Sequence, residues 1–457
     1  MTTRATIGFA VAALLLAAPA MSQDARGQSN GDATATSTAG SDSISAKAAA
    51  TQPAIVIQHF RPQDQRGINI FEPPKEPGAP YTGFKLDWGA AFTQQFQALD
   101  HSNAADQSVE ANQLIDITSG FNNATANLYL NAQLARGIRV QLSSYLSSRH
   151  HNEAWVKDGY LLVDASPIDV PALNTLMEYV TLRLGHFEIN YGDAHFRRSD
   201  NGNAMYNPFV GNYILDSFTT EVGGEVYFRS NGLMAMFGVT GGEIRGQVKE
   251  GTAPAFLGKL GFDRQLNEDL RVRLTGSVYT TEKSLSNTLY SGDRAGSRYY
   301  FVLENAAASE SSNFRSGLLV PGLTSEVTAF QVNPFVKFGG LELFGVIEKV
   351  EGRTRAELDD GAPKREWNQY AVDALYRFLP DDKLYVGARY NTVEGEMAGI
   401  TNEVGADRYQ IGGGWFITPS VLLKAEYVNQ QYNDFPISNI FHKGKFDGFV
   451  VEGVVAF

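Results

Sequence analysis

Five side chains in one short stretch could act on charged solutes: Asp193, His195, Arg197, Arg198 and Asp200, all within the polar segment Tyr191–Ser217. Acids, guanidiniums and an imidazole so close together suit a field across a narrow space, one that sorts solutes by charge and size. Bond-making chemistry has few candidates. The chain contains no HExxH, GxSxG or glycine-rich phosphate loop. His150-His151 has only Glu153 as a nearby carboxylate, and His186 and His442 have no serine that the sequence can pair with them. There is no cysteine, which removes thiolate and disulfide chemistry. No enzymatic activity, metal or cofactor is expected. A formal charge of −12 argues against nucleic acid as a partner.

A second set of charges recurs along stretches of strict alternation. Phe84, Leu86, Trp88, Ala90 and Phe92 alternate with Lys85, Asp87, Gly89, Ala91 and Thr93, and Leu128, Leu130, Ala132 and Leu134 alternate with Asn127, Tyr129, Asn131 and Gln133. Period two with one apolar face is a half-buried strand. Mean hydropathy is −0.21, and no run beyond the N-terminus is long and apolar enough for a membrane helix. A membrane barrel escapes hydropathy because outward apolar and inward polar residues alternate. The polar faces carry Arg139, Arg183, Lys259, Arg271, Arg273, Arg377, Arg389, Arg408 and Lys424. A charge on a lipid face costs about 2–4 kcal/mol at mid-bilayer, so period two directs these residues inward as pore-lining groups. Basic residues outnumber acidic ones on this inward set. A net-positive wall favours anions, while mixed charges that merely pair and keep a pore wet remain the alternative.

Turn chemistry sets the count. Arg136-Gly137, Ser230-Asn231-Gly232, Asn267-Glu268-Asp269, Gly339-Gly340, Pro380-Asp381-Asp382 and Thr418-Pro419-Ser420 join strands tightly. Between the pairs lie longer polar loops at 99–112, 191–217, 245–253, 284–325, 353–364, 396–404 and 433–443. Strands are expected near 83–97, 113–134, 138–149, 154–165, 177–190, 218–229, 233–245, 254–265, 270–283, 326–338, 341–352, 366–378, 383–395, 405–417, 421–432 and 446–457. The fold class is all-β: a transmembrane antiparallel up-and-down β-barrel of about sixteen strands, with fourteen or eighteen as alternatives. Short periplasmic turns alternate with long extracellular loops, and Ser166–Met177 is one unusually long turn. No 40–50-residue repeat supports a propeller. Phe228, Phe262, Phe338, Phe378, Trp415, Phe416 and Phe457 recur near the periplasmic strand ends, as an interfacial girdle would.

The last stretch, Lys445–Phe457, alternates to its final residue. This tail resembles the closing strand of Gram-negative outer-membrane barrels, which the barrel assembly machinery recognises and which sits in outer-membrane lipid. Gly185-His186-Phe187-Glu188-Ile189-Asn190-Tyr191-Gly192 resembles the Gly-x-Phe-x-x-Pro-Phe-Gly signature of the phosphate-selective porin O/P family, with Asn190-Tyr191 in place of Pro-Phe. The resemblance implies a sixteen-stranded homotrimeric porin passing anions by diffusion. The third outward loop, 191–217, would then fold inward as the constriction. A barrel selective for sugars or hydrophobic compounds, or one with an enzymatic or structural envelope role, is the alternative.

Ahead of the barrel (82–457), residues 1–20 read as a signal peptide, with Arg4, the apolar core Ile7–Ala18 and Ala18-Pro19-Ala20. Residues 21–53 are a low-complexity leader that cannot bury enough surface to order itself. Residues 54–81 form a periplasmic N-terminal segment, read as a loose tether, with packing at the barrel mouth as the alternative. Loop 284–325 is read as a solvent-exposed loop, with a lid over the mouth as the alternative.

Overall fold

The computed structural model describes residues 60–73, 75, 81–147, 149, 153–244, 248, 250–292 and 294–457. The expected signal peptide, the leader, His150 and His151 lie outside them. Residues 54–457 form one unit.

The strands are β1 (Lys85–Ser102), β2 (Gly120–Phe121), β3 (Thr125–Ala135), β4 (Ile138–Leu146), β5 (Ala154–Val163), β6 (Val180–Glu188), β7 (Thr220–Ser230), β8 (Leu233–Thr240), β9 (Ala255–Gln265), β10 (Leu270–Thr281), β11 (Glu326–Phe338), β12 (Leu341–Arg353), β13 (Arg365–Phe378), β14 (Leu384–Glu396), β15 (Glu403–Thr418), β16 (Val421–Asn433) and β17 (Lys445–Ala456). Sixteen are long; β2 is a two-residue addition that pairs with the outer half of β1. Each long strand runs antiparallel to its neighbour in sequence, and β1 pairs with β17 to close the cylinder. At the seam, Ala90 N–H donates to the Phe457 carbonyl and Phe457 N–H to the Ala90 carbonyl, each 3.0 Å. A Cβ at position 89 would stand 2.3 Å from the Phe457 carbonyl oxygen, so glycine there lets the chain end dock.

Alternation decides the two faces. In β17, Phe449 is 62% exposed while Phe446, Val450 and Glu452 are fully buried. Phe84, Leu86, Trp88, Leu128, Leu130, Phe330, Tyr370 and Tyr376 form an outward apolar belt, the surface a bilayer-spanning barrel presents. Phe228, Phe338, Phe378, Trp415 and Phe457 point outward among them. Phe416 does not: it is buried against Tyr385, ring centroids 6.2 Å apart, because its neighbour Trp415 holds the outward position.

The tight turns fall where their residue types place them. The strand expected at 113–134 starts only at Thr125, because Leu114 and Ile117 pack against the buried cluster at the mouth instead of continuing the sheet. The long turn after β5 holds a short helix, α1 (Pro171–Met177), whose proline occupies the first turn, where no N–H is required.

Loop 282–325 is not a solvated surface loop. Leu289, Tyr290, Tyr299, Val302 and Leu303 are buried in one cluster with Val327 and Val428, so this loop descends into the mouth. The residue types give the reason: five large apolar side chains in one loop have more to gain from burial than from exposure. The interior is therefore part polar cavity and part packed core, not an open wet cylinder.

Candidate functional site

The site is the interior itself, and its central element is the segment between β6 and β7. Asn190 begins the turn inward. Its backbone N–H donates to Glu225 Oε1 at 3.0 Å, its side chain donates to Glu72 Oε1 at 3.0 Å, and its Oδ1 accepts from Lys259 Nζ at 2.6 Å. Gly192 has φ +69°, and a Cβ there would lie 1.9 Å from Gln331 Oε1 on the far wall. Only glycine lets the chain cross so close to β11 in that conformation.

Asp193 is the first anchor. Arg273 donates Nε and Nη2 to it at 2.8 Å each, Lys259 Nζ stands at 2.8 Å and Thr275 Oγ1 donates at 2.8 Å. Its own N–H donates to Asn333 Oδ1 at 2.7 Å. Arg198 then clasps Asp216 with Nε and Nη2 at 2.8 and 2.6 Å, tying the inbound limb to the outbound one, and stacks on Phe218 at 3.9 Å. Asp200 accepts from Lys157 Nζ at 2.6 Å and from the Tyr145 hydroxyl.

Beyond that point the backbone is buried without a sheet partner, so side chains must satisfy it. The wall supplies them. Lys424 Nζ donates to the carbonyls of Ala204, Asn207 and Phe209 at 2.9, 3.1 and 2.9 Å. Glu426 Oε2 accepts from Val210 N–H at 2.7 Å, and Arg389 Nη1 donates to Gly211 O at 2.9 Å. Arg408 donates to the Asn212 carbonyl, and Asn391 Oδ1 accepts from Ile214 N–H at 2.7 Å. The segment thus lies against the inner surface of β13–β17.

Nine basic residues were expected to line an open pore. Only Arg183, paired with Glu225, faces the remaining space. Lys259, Arg273, Arg389, Arg408 and Lys424 hold the inward segment. Arg377 binds Glu342 at 2.7 Å, Arg271 binds Asp263 at 2.9 and 2.7 Å, and Arg139 pairs with Asp164 at a strand end. The period-two rule reads direction, and it cannot tell a solvated cation from one consumed by a buried carbonyl.

The remaining space is a cavity of about 190 Å³ beside β3–β7. His195, Arg198 and Asp200 line it, together with Lys157, Asp158, Glu188, Tyr206 and Arg229. Arg197 points elsewhere, 5.0 Å above the Phe344 ring and 3.8 Å from Glu342. Asp193 is buried under Lys259 and Arg273 rather than on the cavity wall. His195 Nδ1 meets Glu188 Oε1 at 2.5 Å, and burial lowers its imidazole below the ordinary value against the opposing pull of that carboxylate.

Lys157 is the main residue that alternation misses. Ser143 pairs with Asp158 and Ser144 with Val156, which leaves Lys157 as the extra residue of a β-bulge. The bulge turns both Lys157 and Asp158 inward. The adjacent charges were the legible sign: without a bulge, one of them would face lipid.

Towards the outside lie two more spaces, about 710 and 190 Å³, sharing Arg149 and Arg294 in their walls. Phe218 lines the second, while Arg198 stacked on it and Lys157 line the inner cavity. These three side chains form the layer between outside and inside.

The N-terminal segment is no loose tether over Phe60–Pro73. Phe71 is buried between Phe196 and Phe335, with ring centroids 5.8 and 5.4 Å away. Glu72 pairs with Lys259 and Arg273 at 3.0 and 2.7 Å. Burial alone would raise the carboxyls of Asp193 and Glu72. Lys259 and Arg273 overcome it and hold Asp193 below, and Glu72 well below, the ordinary carboxylate value. Depressed carboxyls contribute stability that is present above their unfolded pKa and lost as pH falls through the folded one. Single-channel recordings should therefore be steady from neutral pH down to about pH 4 and become noisy and larger only below it. Onset of that change above pH 5 would contradict the assignment.

No family model matches the chain, and no curated protein matches it in sequence. Solved structures match its fold. The anion-selective porin from Comamonas acidovorans aligns with a TM-score of 0.52 at 12% identity, covering 82% of this chain and 100% of that one. The outer membrane channel DcaP of Acinetobacter baumannii gives 0.47 at 10%, covering 83% and 99%. OprB of Pseudomonas putida gives 0.48 at 10%, covering 82% and 94%. The likeness is one of fold: a closed sixteen-stranded outer-membrane barrel.

Proposed function

We propose that this protein is an outer-membrane porin that admits small hydrophilic solutes by diffusion along an off-centre path beside β3–β7. The single observation that carries this reading is the lined cavity left between the inward segment and the bulged strand β5. Segment 191–217 acts as the constriction, with Arg198, Lys157 and Phe218 as its outer layer. Its filter is steric size plus the field of Arg198, Lys157, Asp200 and Glu188.

The outer vestibule supports an anion preference. Among the described residues, Arg149, Arg294 and Arg315 line it, against one carboxylate, Glu243. Cations at an entrance raise the local concentration of anions and their entry rate. The protein resides in the outer membrane of a Gram-negative bacterium, exported by its signal peptide. It is delivered through the barrel assembly machinery by the strand ending at Phe457, and assembles as a homotrimer in outer-membrane lipid. The small cavity favours, as a second reading, a channel selective for one solute class. Current blocked by a single class of ligand would mark that case.

Reversal potentials in a salt gradient test the constriction. Arg198→Glu should shift the potential towards cation preference, because Arg198 lines the path. Arg197→Glu, whose side chain faces β12, should disturb folding yield more than selectivity. Equal selectivity shifts in both variants would count against this path.

A further inference from the structure

The constriction is followed by a second element that no strand provides. Residues 60–73 cross the periplasmic end of the barrel as a strap. On one side Gln65 reaches two turns, its N–H donating to Pro419 O at 2.9 Å and its side chain to Asp381 O at 2.7 Å. On the other, Glu72 is held by Lys259 and Arg273. In the middle, Asn69 donates to Glu342 Oε1 at 2.6 Å. The strap also grips the inward segment: Tyr206 donates to Pro62 O at 2.5 Å, and Asn203 to Gln63 Oε1 at 2.9 Å.

Phe60, Arg61, Gln63, Glu72 and Pro73 line the cavity, so a solute leaving it passes the strap. Arg61 is the unusual member. It donates Nε to Gly67 O at 2.8 Å and Nη1 to Phe196 O at 2.9 Å, and lies 3.5 Å above the Tyr206 ring. Its Nη2 is buried with no hydrogen-bond partner, and no carboxylate pairs with it among the described residues. Burial lowers this guanidinium to about 10, which leaves it cationic at neutral pH. A buried donor without an acceptor keeps its desolvation cost uncompensated, a deficit that an anionic group in the cavity would remove. Arg229, which donates to the Pro73 carbonyl, lines the same space with Nε likewise unmatched. The opposing carboxylate oxygen without a partner is Asp158 Oδ1, and Lys157 stands 3.9 Å from that carboxylate.

We propose that the strap is an inner selectivity filter, in which Arg61 receives the anionic group of a small permeating solute after it has passed segment 191–217. This rests on the porin reading above. The inward segment and the strap then act in series, the first sorting by size and entry field, the second by a single oriented guanidinium.

The test is planar-bilayer recording of the full chain, Arg61→Gln, Arg61→Lys and a chain lacking residues 60–73, in a potassium chloride gradient. Each is checked for barrel folding by heat-modifiable gel mobility. The expected result is a severalfold fall in anion-over-cation permeability for Arg61→Gln, retention in Arg61→Lys, and larger, less selective steps without the strap. Conducting, folded variants with the full chain's step size and reversal potential would overturn the filter while leaving the porin intact. A cation-selective full chain would overturn it as well. Silence of the full chain and of the strap-free chain alike would remove the porin reading, and the filter with it.

Discussion

Excising residues 199–214 and joining the flanking limbs by a short glycine linker should raise single-channel conductance severalfold and flatten ion selectivity. The two limbs already touch: Arg198 and Asp216 share a bidentate pair at 2.8 and 2.6 Å, so a short bridge spans them without moving the barrel. The excised stretch lies against β13–β17 from Ala204 onward and against β1 and β3 at Asn201 and Gly202, which bind Asn127 and Thr93. Its removal frees Lys424, Arg389, Arg408 and Glu426, which would be costly in a dry core. In a widened lumen they meet water, and Arg389 keeps Asp373 at 2.6 and 2.9 Å. The sheet bonds that close the cylinder are untouched, so resistance to denaturation by detergent at room temperature should persist. Planar-bilayer steps of the same size as those of the full chain would show that the segment does not narrow the path.

Asp193→Ala should be the most damaging single substitution in the inward segment, costing about 3 kcal/mol. The carboxylate has four donors, and its loss leaves Arg273 and Lys259 buried side by side, with Glu72 shared between them and Asp263 reaching Arg273 alone at 3.2 Å. Breaking one partner of a buried ionic group is expensive because the survivors keep their desolvation cost. Asp193→Asn retains hydrogen-bonding capacity but not charge, and should fall between the two. The readout is the midpoint of the heat-induced mobility shift in detergent, together with leak conductance as the segment comes loose. An Ala variant with an unchanged midpoint and quiet baseline would show that this cluster is not an anchor.

Much of the barrel was readable because its grammar is local. Gly339-Gly340 and Arg136-Gly137 make tight turns whatever the rest of the chain does, and alternation in β17 sets inside from outside residue by residue. Loop 191–217 was expected to fold inward, but which wall side chains hold it was not readable, because that depends on distant partners. Lys424 looks like any inward lysine until the carbonyls of Ala204, Asn207 and Phe209 are placed beside it. The apolar loop residues Leu289, Tyr299 and Val302 look like ordinary loop residues until Val327 and Val428 cover them. Lys157 evaded the pattern for a different reason: a bulge shifts the count by one and every later side chain with it.

The strap's attachments also order the events of assembly. Asn69 binds Glu342, and Gln65 binds Asp381, which lies 316 residues away. Holding ends so far apart before the intervening ribbon has settled costs chain entropy with nothing yet to offset it. The piece made early must therefore wait for the strands that carry these partners, and docks only after they are in place.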